Sequence, residues 1–260
     1  MDKIRLIASD MDATLLDEHS CLPAGFEQTV RALAALGIRF APASGRPLYT
    51  LEELFPTLRD ELVFIGDNGG AIRWKGQNLF TSEMSPEGWR ALNRLTREQG
   101  DIAVLCGLES AYVERPFAVH DAVLRHFYTK IEYVDRLEDV TVPADKFTIY
   151  LPQHNAQQAY DTVYASQRSI YSVAVAGECW VDIMNPGVHK GAALQTLGQL
   201  WGLPSESIMA FGDTYNDAEM LQTVRYGFLM ENGSEPLRQK VPFLAPSHRE
   251  AGVVPFKLSC

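Results

Sequence analysis

A short apolar segment near the amino terminus stops at two carboxylates, and this feature constrains the fold most. The run Ile4–Ala8 is mostly apolar, and Asp10 and Asp12 follow it one residue apart, with Thr14 behind them. Strands of parallel sheets are covered on both faces and are therefore apolar, and ligands of open α/β sheets gather beyond the carboxyl ends of these strands. The segment predicts a buried parallel strand that carries an acid pair.

The same pattern of an apolar run ending in a polar turn recurs along the chain. The runs are 38–43, 62–65 and 208–211, and they end at Ser44-Gly45-Arg46, at Gly66-Asp67-Asn68-Gly69-Gly70 and at Gly212-Asp213-Thr214-Tyr215-Asn216-Asp217. Helical patterns at 24–36 and 190–201 accompany these strands, and 71–74 and 77–80 flank a predicted hairpin turn. This alternation predicts an α/β fold with a doubly wound, mostly parallel core sheet.

A second module is predicted inside the first. Between residues 83 and 183 the pattern changes to helices near 86–99, 118–128 and 155–167, with short strands near 102–106, 111–114, 146–151, 170–176 and 179–184. We therefore expect a core domain formed by residues 1–82 and 184–260, and an inserted α+β cap domain at 83–183.

Composition excludes several classes of function. The 260 residues carry 23 basic and 33 acidic side chains, a net charge of −10, which argues against a general nucleic-acid or anionic-membrane surface. No apolar run approaches the roughly 20 residues that span a bilayer, so we expect a cytoplasmic protein.

The cysteines Cys21, Cys106, Cys179 and Cys260 are scattered and are interpreted as free thiols. No obligate protein partner is indicated.

Two carboxylates as close as Asp10 and Asp12 stay ionised in a partly dry site only when a cation shares it, so the pattern predicts a divalent metal. Together, four clusters resemble the haloacid dehalogenase superfamily of phosphohydrolases: Asp10-Met11-Asp12-Ala13-Thr14, Ser44-Gly45-Arg46, Lys190-Gly191 and Gly212–Asp217. Three further segments resemble its Cof-type sugar-phosphatase branch, which carries an inserted α+β cap: Asn216–Met220, Asn68–Ala71 and Pro186–Gly191. The resemblance covers essentially the whole chain.

The residue types suit phosphoryl transfer. An ionised aspartate can attack a phosphate monoester and form an aspartyl phosphate, and Asp10 is the candidate nucleophile. Asp12 can protonate the leaving oxygen and later take a proton from water. Mg²⁺ suits a site of carboxylates, carbonyls and phosphate oxygens. The resemblance implies that Asp10, the backbone carbonyl of Asp12, and Asp213 hold it, and that Asp217 orients this set or joins it as a ligand.

Phosphoryl oxygens need fixed dipoles and positive charge. Ser44, the Gly45 amide and Lys190 are the candidates for this role, and Asn216 joins them by resemblance. Arg46 either contacts the phosphate or substrate, or pairs with a surface carboxylate.

Each signal also has a structural alternative. An Asp-x-Asp-x-Thr sequence occurs in calcium loops and ordinary turns. Lys190 can be a solvated side chain that opens a helix, and Asp213 and Asp217 can be capping residues. His189 is interpreted as structural.

One position departs from the pattern of the Cof-type branch. Residue 13 is alanine where the branch usually has glycine, so a positive φ there would impose strain. Activity is still expected, and replacement of Ala13 by glycine should leave turnover equal or higher.

The sequence thus predicts a Mg²⁺-dependent phosphatase for small organic phosphates, with sugar phosphates as the leading substrates. The alternatives are a phosphomutase, a phosphatase for pyridoxal phosphate or nucleotides, and a non-catalytic sugar-phosphate sensor. The cap residues that contact substrate stay open among several candidates: Glu114, Arg115, His120 and Glu178.

Overall fold

The computed structural model describes residues 4–254, which form two β-sheets covered by helices. In chain order the strands are β1 (Leu6–Asp10), β2 (Arg39–Ala43), β3 (Val63–Gly66), β4 (Ala71–Trp74), β5 (Gln77–Thr81), β6 (Ile102–Gly107), β7 (Ala111–Glu114), β8 (Ile131–Val134), β9 (Ala144–Tyr150), β10 (Ser172–Val175), β11 (Trp180–Met184), β12 (Ile208–Gly212), β13 (Tyr226–Met230) and β14 (Phe243–Ala245). The helices are α1 (Phe26–Ala35), α2 (Leu48–Glu53), α3 (Pro86–Gln99), α4 (Asp121–Phe127), α5 (Ala156–Asp161), α6 (Lys190–Trp201), α7 (Ala218–Thr223) and α8 (Glu235–Arg238).

The larger sheet has the strand order β14-β13-β12-β1-β2-β3-β4-β5. Its first six strands are parallel, and β4 and β5 add an antiparallel hairpin. The order runs outward in both directions from the β1–β12 pair, which makes this pair the topological switch point where α/β sheets bind ligands. The predicted doubly wound, mostly parallel sheet is confirmed.

Apolar burial on both faces holds this sheet. The strands β1 and β12 are buried along their whole length. Their side chains alternate between two clusters, one containing Ile7, Phe40 and Phe211 and the other containing Leu6, Ala210 and Leu194. Because a parallel strand packs against helices on both sides, this arrangement explains why the strand sequences lack a polar face.

The smaller sheet has the order β10-β11-β9-β6-β7-β8 and is antiparallel except for the β7–β8 pair. All of its strands lie between residues 102 and 184. The helices α3, α4 and α5 accompany it along the chain. The domain boundaries drawn from the sequence stay a prediction.

The sequence prediction differs from the structure at several short elements. The helices α2 and α8 and the strands β8, β13 and β14 were not predicted, and each spans six residues or fewer, too short to show a clear period. The helix predicted at 155–167 is wrong in length, because α5 ends at Asp161. Thr162 leaves helical geometry there, with φ −117° and ψ −78°, and a separate 3₁₀ turn follows at Ala165–Ser169.

Cys21, Cys106 and Cys179 are free thiols, as predicted, and Cys260 lies outside the described residues. No helix within residues 4–254 combines the length and the apolar character that crossing a bilayer requires. A cytoplasmic location stays a prediction.

The turn after β1 carries backbone strain. Residues Met11–Leu15 form a tight turn in which Ala13 has φ 59° and ψ 13°. This is the left-handed region, which costs an L-residue other than glycine roughly 1–2 kcal/mol. Ala13 therefore has the positive φ at which an alanine is strained.

A buried polar interface joins the two sheets. Lys146 on β9 is 2% exposed, and its ammonium lies 2.8 Å from an oxygen of Asp67, which follows β3. The neighbouring Asp145 is fully buried beside Asp67. Burial, followed by the charge on Asp67, raises the pKa of Asp145 well above its ordinary range. Asp145 therefore holds a proton more tightly than an ordinary aspartate does and can donate it to Asp67.

We expect Ala13→Gly to raise the free energy of unfolding by about 1 kcal/mol, because glycine adopts a positive φ without a steric cost. Urea unfolding measures the change. The control is Ala34→Gly in the regular helix α1, where the same substitution should lower the free energy of unfolding by up to about 1 kcal/mol. A loss of stability in Ala13→Gly would contradict the left-handed geometry.

A second prediction concerns Asp145. The folded protein binds the Asp145 proton more tightly than the unfolded chain does. The stability that this group contributes is therefore complete below the pKa of an unfolded aspartate and is lost as the pH rises toward the raised pKa. Relative to Asp145→Asn, the wild type should lose up to about 1.4 kcal/mol per pH unit above about pH 4.

Urea unfolding of the wild type and Asp145→Asn between pH 4 and 8 measures this difference. A stability difference that is independent of pH, or that favours the wild type as the pH rises, would contradict the assignment of a shared proton.

Candidate active site

The predicted site residues meet at the carboxyl ends of β1, β2 and β12. They surround a cavity of about 430 Å³ that lies between the two sheets. The residues that line it include Asp10, Asp12, Ser44, Gly45, Arg46, Asp213 and Asn216. Lys190 and Asp217 are fully buried directly behind Asp10. The fold therefore brings together clusters that are separated by up to about two hundred residues in the sequence.

Strand register explains part of this convergence. Ser9 pairs with Phe211, so Asp10 and Asp213 follow neighbouring strands at nearly the same level of the sheet.

Lys190 is the first residue of α6, and His189 caps this helix by accepting the N–H of Ala192 at its Nδ1 atom. The structure thus gives His189 the structural role expected from the sequence.

A lysine between two aspartates forms the floor of the site. Lys190 Nζ donates to Asp10 Oδ1 at 2.5 Å and to Asp217 Oδ1 at 2.7 Å. Burial lowers the pKa of Lys190, but the two carboxylates outweigh burial and hold the pKa above its usual value. Lys190 is therefore a fixed positive charge, and the alternative of a solvated side chain is wrong.

Both carboxylate oxygens of Asp217 accept hydrogen bonds from other groups of the protein. Its Oδ1 accepts from Lys190, and its Oδ2 accepts the backbone N–H groups of Asp213 and Thr214 at 3.0 and 3.2 Å. Asp217 also forms a capping box with Thr214, so the capping alternative and the site role coexist. A Cβ at Gly212 would lie 2.5 Å from the Asp217 Cβ, which explains the glycine. These contacts suit an orienting role.

Asp10, Asp213 and Asp217 form an acidic cluster with excess negative charge. Each offers a carboxylate oxygen, and these oxygens lie within 4.8 Å of one another. Burial, followed by the charge on Asp217, raises the pKa of Asp10 well above its ordinary range. The same causes raise the pKa of Asp213 to about 6. Since Lys190 is the one ammonium that the described residues place against this cluster, the donor set fits an oxygen-seeking divalent cation.

Asp12 and Arg46 lie at the entrance of the cavity. The guanidinium of Arg46 donates to Asp12 Oδ1 at 2.7 Å, and the Asp12 side chain is 58% exposed. Asp12 is thus accessible to solvent and to a leaving group, as a proton-transferring residue must be. The carboxylate that pairs with Arg46 belongs to the site itself.

The remaining polar groups follow β2 and β12. Ser44 Oγ accepts the backbone N–H of Arg46 at 3.1 Å. Asn216 Nδ2 donates to Asn68 Oδ1 at 3.4 Å, and Asn68 Nδ2 donates to Asp182 Oδ2 at 3.1 Å. This chain of amides connects the site to the smaller sheet.

The four cap candidates from the sequence do not line the cavity, and each has another contact. Glu114 accepts from Arg97, Arg115 donates to Asp135, the His120 ring packs on Tyr150, and Glu178 contacts His154. The cap side of the cavity is instead formed by Phe127, Tyr128, Lys146, Ala174, Val175, Ala176, Trp180 and Asp182. None of these residues is among the site residues predicted from the sequence.

One signal for two of them was present in the sequence. Lys146 and Asp182 are charged residues inside otherwise apolar strands, β9 and β11. A charge is rarely buried without a partner of opposite sign. Each of these two residues therefore predicts a buried counterion, and each can supply it for the other. Their Nζ and Oδ2 atoms lie 3.7 Å apart.

The chain is similar to known proteins over nearly its whole length. The sequence pattern of the haloacid dehalogenase-like hydrolases matches residues 7–256. The chain is 31% identical to 5-amino-6-(5-phospho-D-ribitylamino)uracil phosphatase YbjI of Escherichia coli K12, over 96% of this chain and 94% of the relative. It is 30% identical to the HMP-PP phosphatase of Cronobacter sakazakii, over 92% and 89% of the two chains.

A solved structure has the same fold as this chain. The crystal structure of SMU.1108c from Streptococcus mutans UA159 superposes with a TM-score of 0.87 at 28% identity, over 97% of both chains. With the family pattern, the relatives and the fold in agreement, this chain belongs to the haloacid dehalogenase-like hydrolases of the Cof type and is a phosphatase that acts on phosphate monoesters.

Proposed function

We propose that this phosphatase hydrolyses small organic phosphate monoesters through an aspartyl phosphate on Asp10, with Mg²⁺ as its cofactor. The observation that carries the proposal is the Lys190 ammonium, which is held between Asp10 and Asp217 at the floor of the cavity. This contact fixes one oxygen of Asp10 and leaves the carboxylate at the cavity wall, where a phosphorus atom can approach it.

The reaction has two steps. An Asp10 oxygen forms a bond to phosphorus while the ester bond to the leaving oxygen breaks, and Asp12 gives its proton to that oxygen. Asp12 then takes a proton from water, which attacks phosphorus and releases phosphate and the free Asp10 carboxylate. Ser44, the Gly45 amide, Lys190 and Asn216 would hold the phosphoryl oxygens.

The acidic cluster fits the proposed Mg²⁺. Asp10, Asp213 and the backbone carbonyl of Asp12 would bind it, while Asp217, whose oxygens accept three internal hydrogen bonds, would orient the set from behind. When bound, the ion supplies positive charge that offsets the repulsion between these carboxylates and an incoming phosphate.

The cavity also bears on substrate class. Its cap side is largely apolar and includes the aromatic rings of Phe127 and Trp180, whose centroids are 5.0 Å apart. The two relatives named above act on phosphates of a ribitylaminouracil and on HMP-PP. Sugar phosphates remain candidates, but the aromatic wall favours the alternative in which the phosphate ester carries an aromatic ring, as pyridoxal phosphate and nucleotides do.

The first experiment measures inorganic phosphate release from sugar phosphates, pyridoxal phosphate and nucleotides, with Mg²⁺ and with a chelator. We expect release that requires Mg²⁺ and falls at least about a thousand-fold in Asp10→Asn, because an amide is not a nucleophile here. The control Asp60→Asn makes the same substitution at an exposed residue outside the cavity and should retain turnover.

The outcomes separate the alternatives. Transfer of the phosphoryl group to another position of the sugar without phosphate release would indicate a mutase. Tight binding of sugar phosphates without any turnover would indicate a sensor. Unchanged turnover in Asp10→Asn would contradict the proposed nucleophile.

The aromatic wall gives a second prediction. Phe127→Ala should lower kcat/KM for pyridoxal phosphate about five-fold, the value of one aromatic contact of about 1 kcal/mol, and should leave kcat/KM for sugar phosphates nearly unchanged. Phe117→Ala is the matched control, because Phe117 is a partly buried member of the same cap cluster but does not line the cavity. Equal losses for both substrate classes would refute a role in ring recognition.

A further inference from the structure

Three successive carbonyl groups of the phosphate loop, residues 44–46, are each held by a donor from outside the loop. The bonds run from Asn68 N to Ser44 O (2.9 Å), from Lys146 Nζ to Gly45 O (2.7 Å) and from Asp67 N to Arg46 O (2.9 Å). The outer two donors belong to the segment after β3, in the same sheet as the loop. The middle donor comes from β9 in the smaller sheet.

These bonds determine where the loop N–H groups point. In a trans peptide the C=O and the following N–H lie in one plane and point in opposite directions. The bond from Lys146 to the Gly45 carbonyl therefore directs the Arg46 N–H to the other side, where it donates to Ser44 Oγ at 3.1 Å. Lys146 thus acts on the Ser44 hydroxyl through a single peptide plane.

Lys146 is itself tightly held. It is 2% exposed, and its ammonium lies 2.8 Å from Asp67 Oδ1 and 3.7 Å from Asp182 Oδ2. Asp182 is fixed in turn by the hydroxyl of Thr148 at 2.8 Å and by Asn68 at 3.1 Å. A buried ammonium surrounded by carboxylates has one favourable position, and that position places a donor on the phosphate loop.

We propose that Lys146 is a positioning residue that holds the phosphate loop from the cap, so that the phosphate site is complete only while the smaller sheet is seated on the larger one. The assignment rests on the proposed function, because it takes the loop to bind the phosphoryl group. The bond from Lys146 to the Gly45 carbonyl would thus link two processes: the seating of the cap on the larger sheet and the orientation of the groups that receive phosphate.

The test uses Lys146→Met/Asp67→Asn, which removes one positive and one negative charge and so keeps the charge balance of the buried cluster. The probe is inorganic phosphate with Mg²⁺, and isothermal titration calorimetry gives its Kd. We expect Kd to rise about ten-fold over the wild-type value, the loss typical of one hydrogen bond from a charged donor. A folded double variant that binds phosphate within two-fold of the wild-type value would overturn the proposal.

Steady-state kinetics separates positioning from direct contact with the substrate. A positioning role predicts that kcat/KM falls by one common factor for every phosphate ester. A factor that differs between substrates, with phosphate binding unchanged, would instead show that Lys146 contacts the organic part and would overturn the proposal. Lys130→Met is the control, because Lys130 is an exposed cap lysine near the Tyr49 ring, at 5.8 Å, and makes no bond to the loop.

If circular dichroism shows the double variant to be unfolded, the same titration is made with Thr148→Val. This change keeps every charge but removes the hydroxyl that fixes Asp182 beside Lys146, so Kd for phosphate should rise by about three-fold. Unchanged binding would overturn the proposal. Wild-type protein that binds phosphate but hydrolyses no ester would overturn the proposed function alone, whereas a wild type that does not bind phosphate would overturn both.

Discussion

The site depends on one buried ammonium between two carboxylates. Lys190 contacts Asp10 and Asp217 with no exposure to solvent, and removal of the lysine would leave two buried charges without a counterion. The surrounding fold makes this contact possible. A Cβ at Gly191 would lie 2.7 Å from the backbone of Glu219, so glycine allows α6 to approach α7 and brings Lys190 to Asp217. The register of β1 against β12 supplies Asp10 and Asp213.

Parts of this arrangement follow from local sequence. An apolar run that ends in carboxylates predicts both a buried parallel strand and the edge where its polar residues lie, and Asp10, Ser44 and Asp213 were found this way. Asp217 and Lys190 needed the resemblance to a family, because local signals alone also fit a helix cap and a solvated lysine. The sequence predicts strain at Ala13 only if φ is positive there, and the structure has this positive φ.

Apart from the buried charges Lys146 and Asp182, the cap side of the cavity could not be predicted, because long-range packing decides which face of each cap strand points to the core. Lys146 and Asp182 lie on strands that are neighbours only in space, and their partners Asp67 and Asn68 come from the other sheet. The cap candidates drawn from the sequence were polar residues near strand ends, and their contacts are local. Buried charges at the junction of the two sheets therefore join the cap side of the cavity to the residues that follow β3.

The most direct test of the account is to trap the covalent intermediate. Rapid acid quench during turnover of the best substrate with Mg²⁺, followed by peptide mass spectrometry, reports which residue carries the phosphoryl group. The proposed mechanism predicts a hydroxylamine-sensitive phosphoryl group on Asp10, which is absent in Asp10→Asn. Phosphorylation of a different residue, or continued turnover by Asp10→Asn, would contradict it.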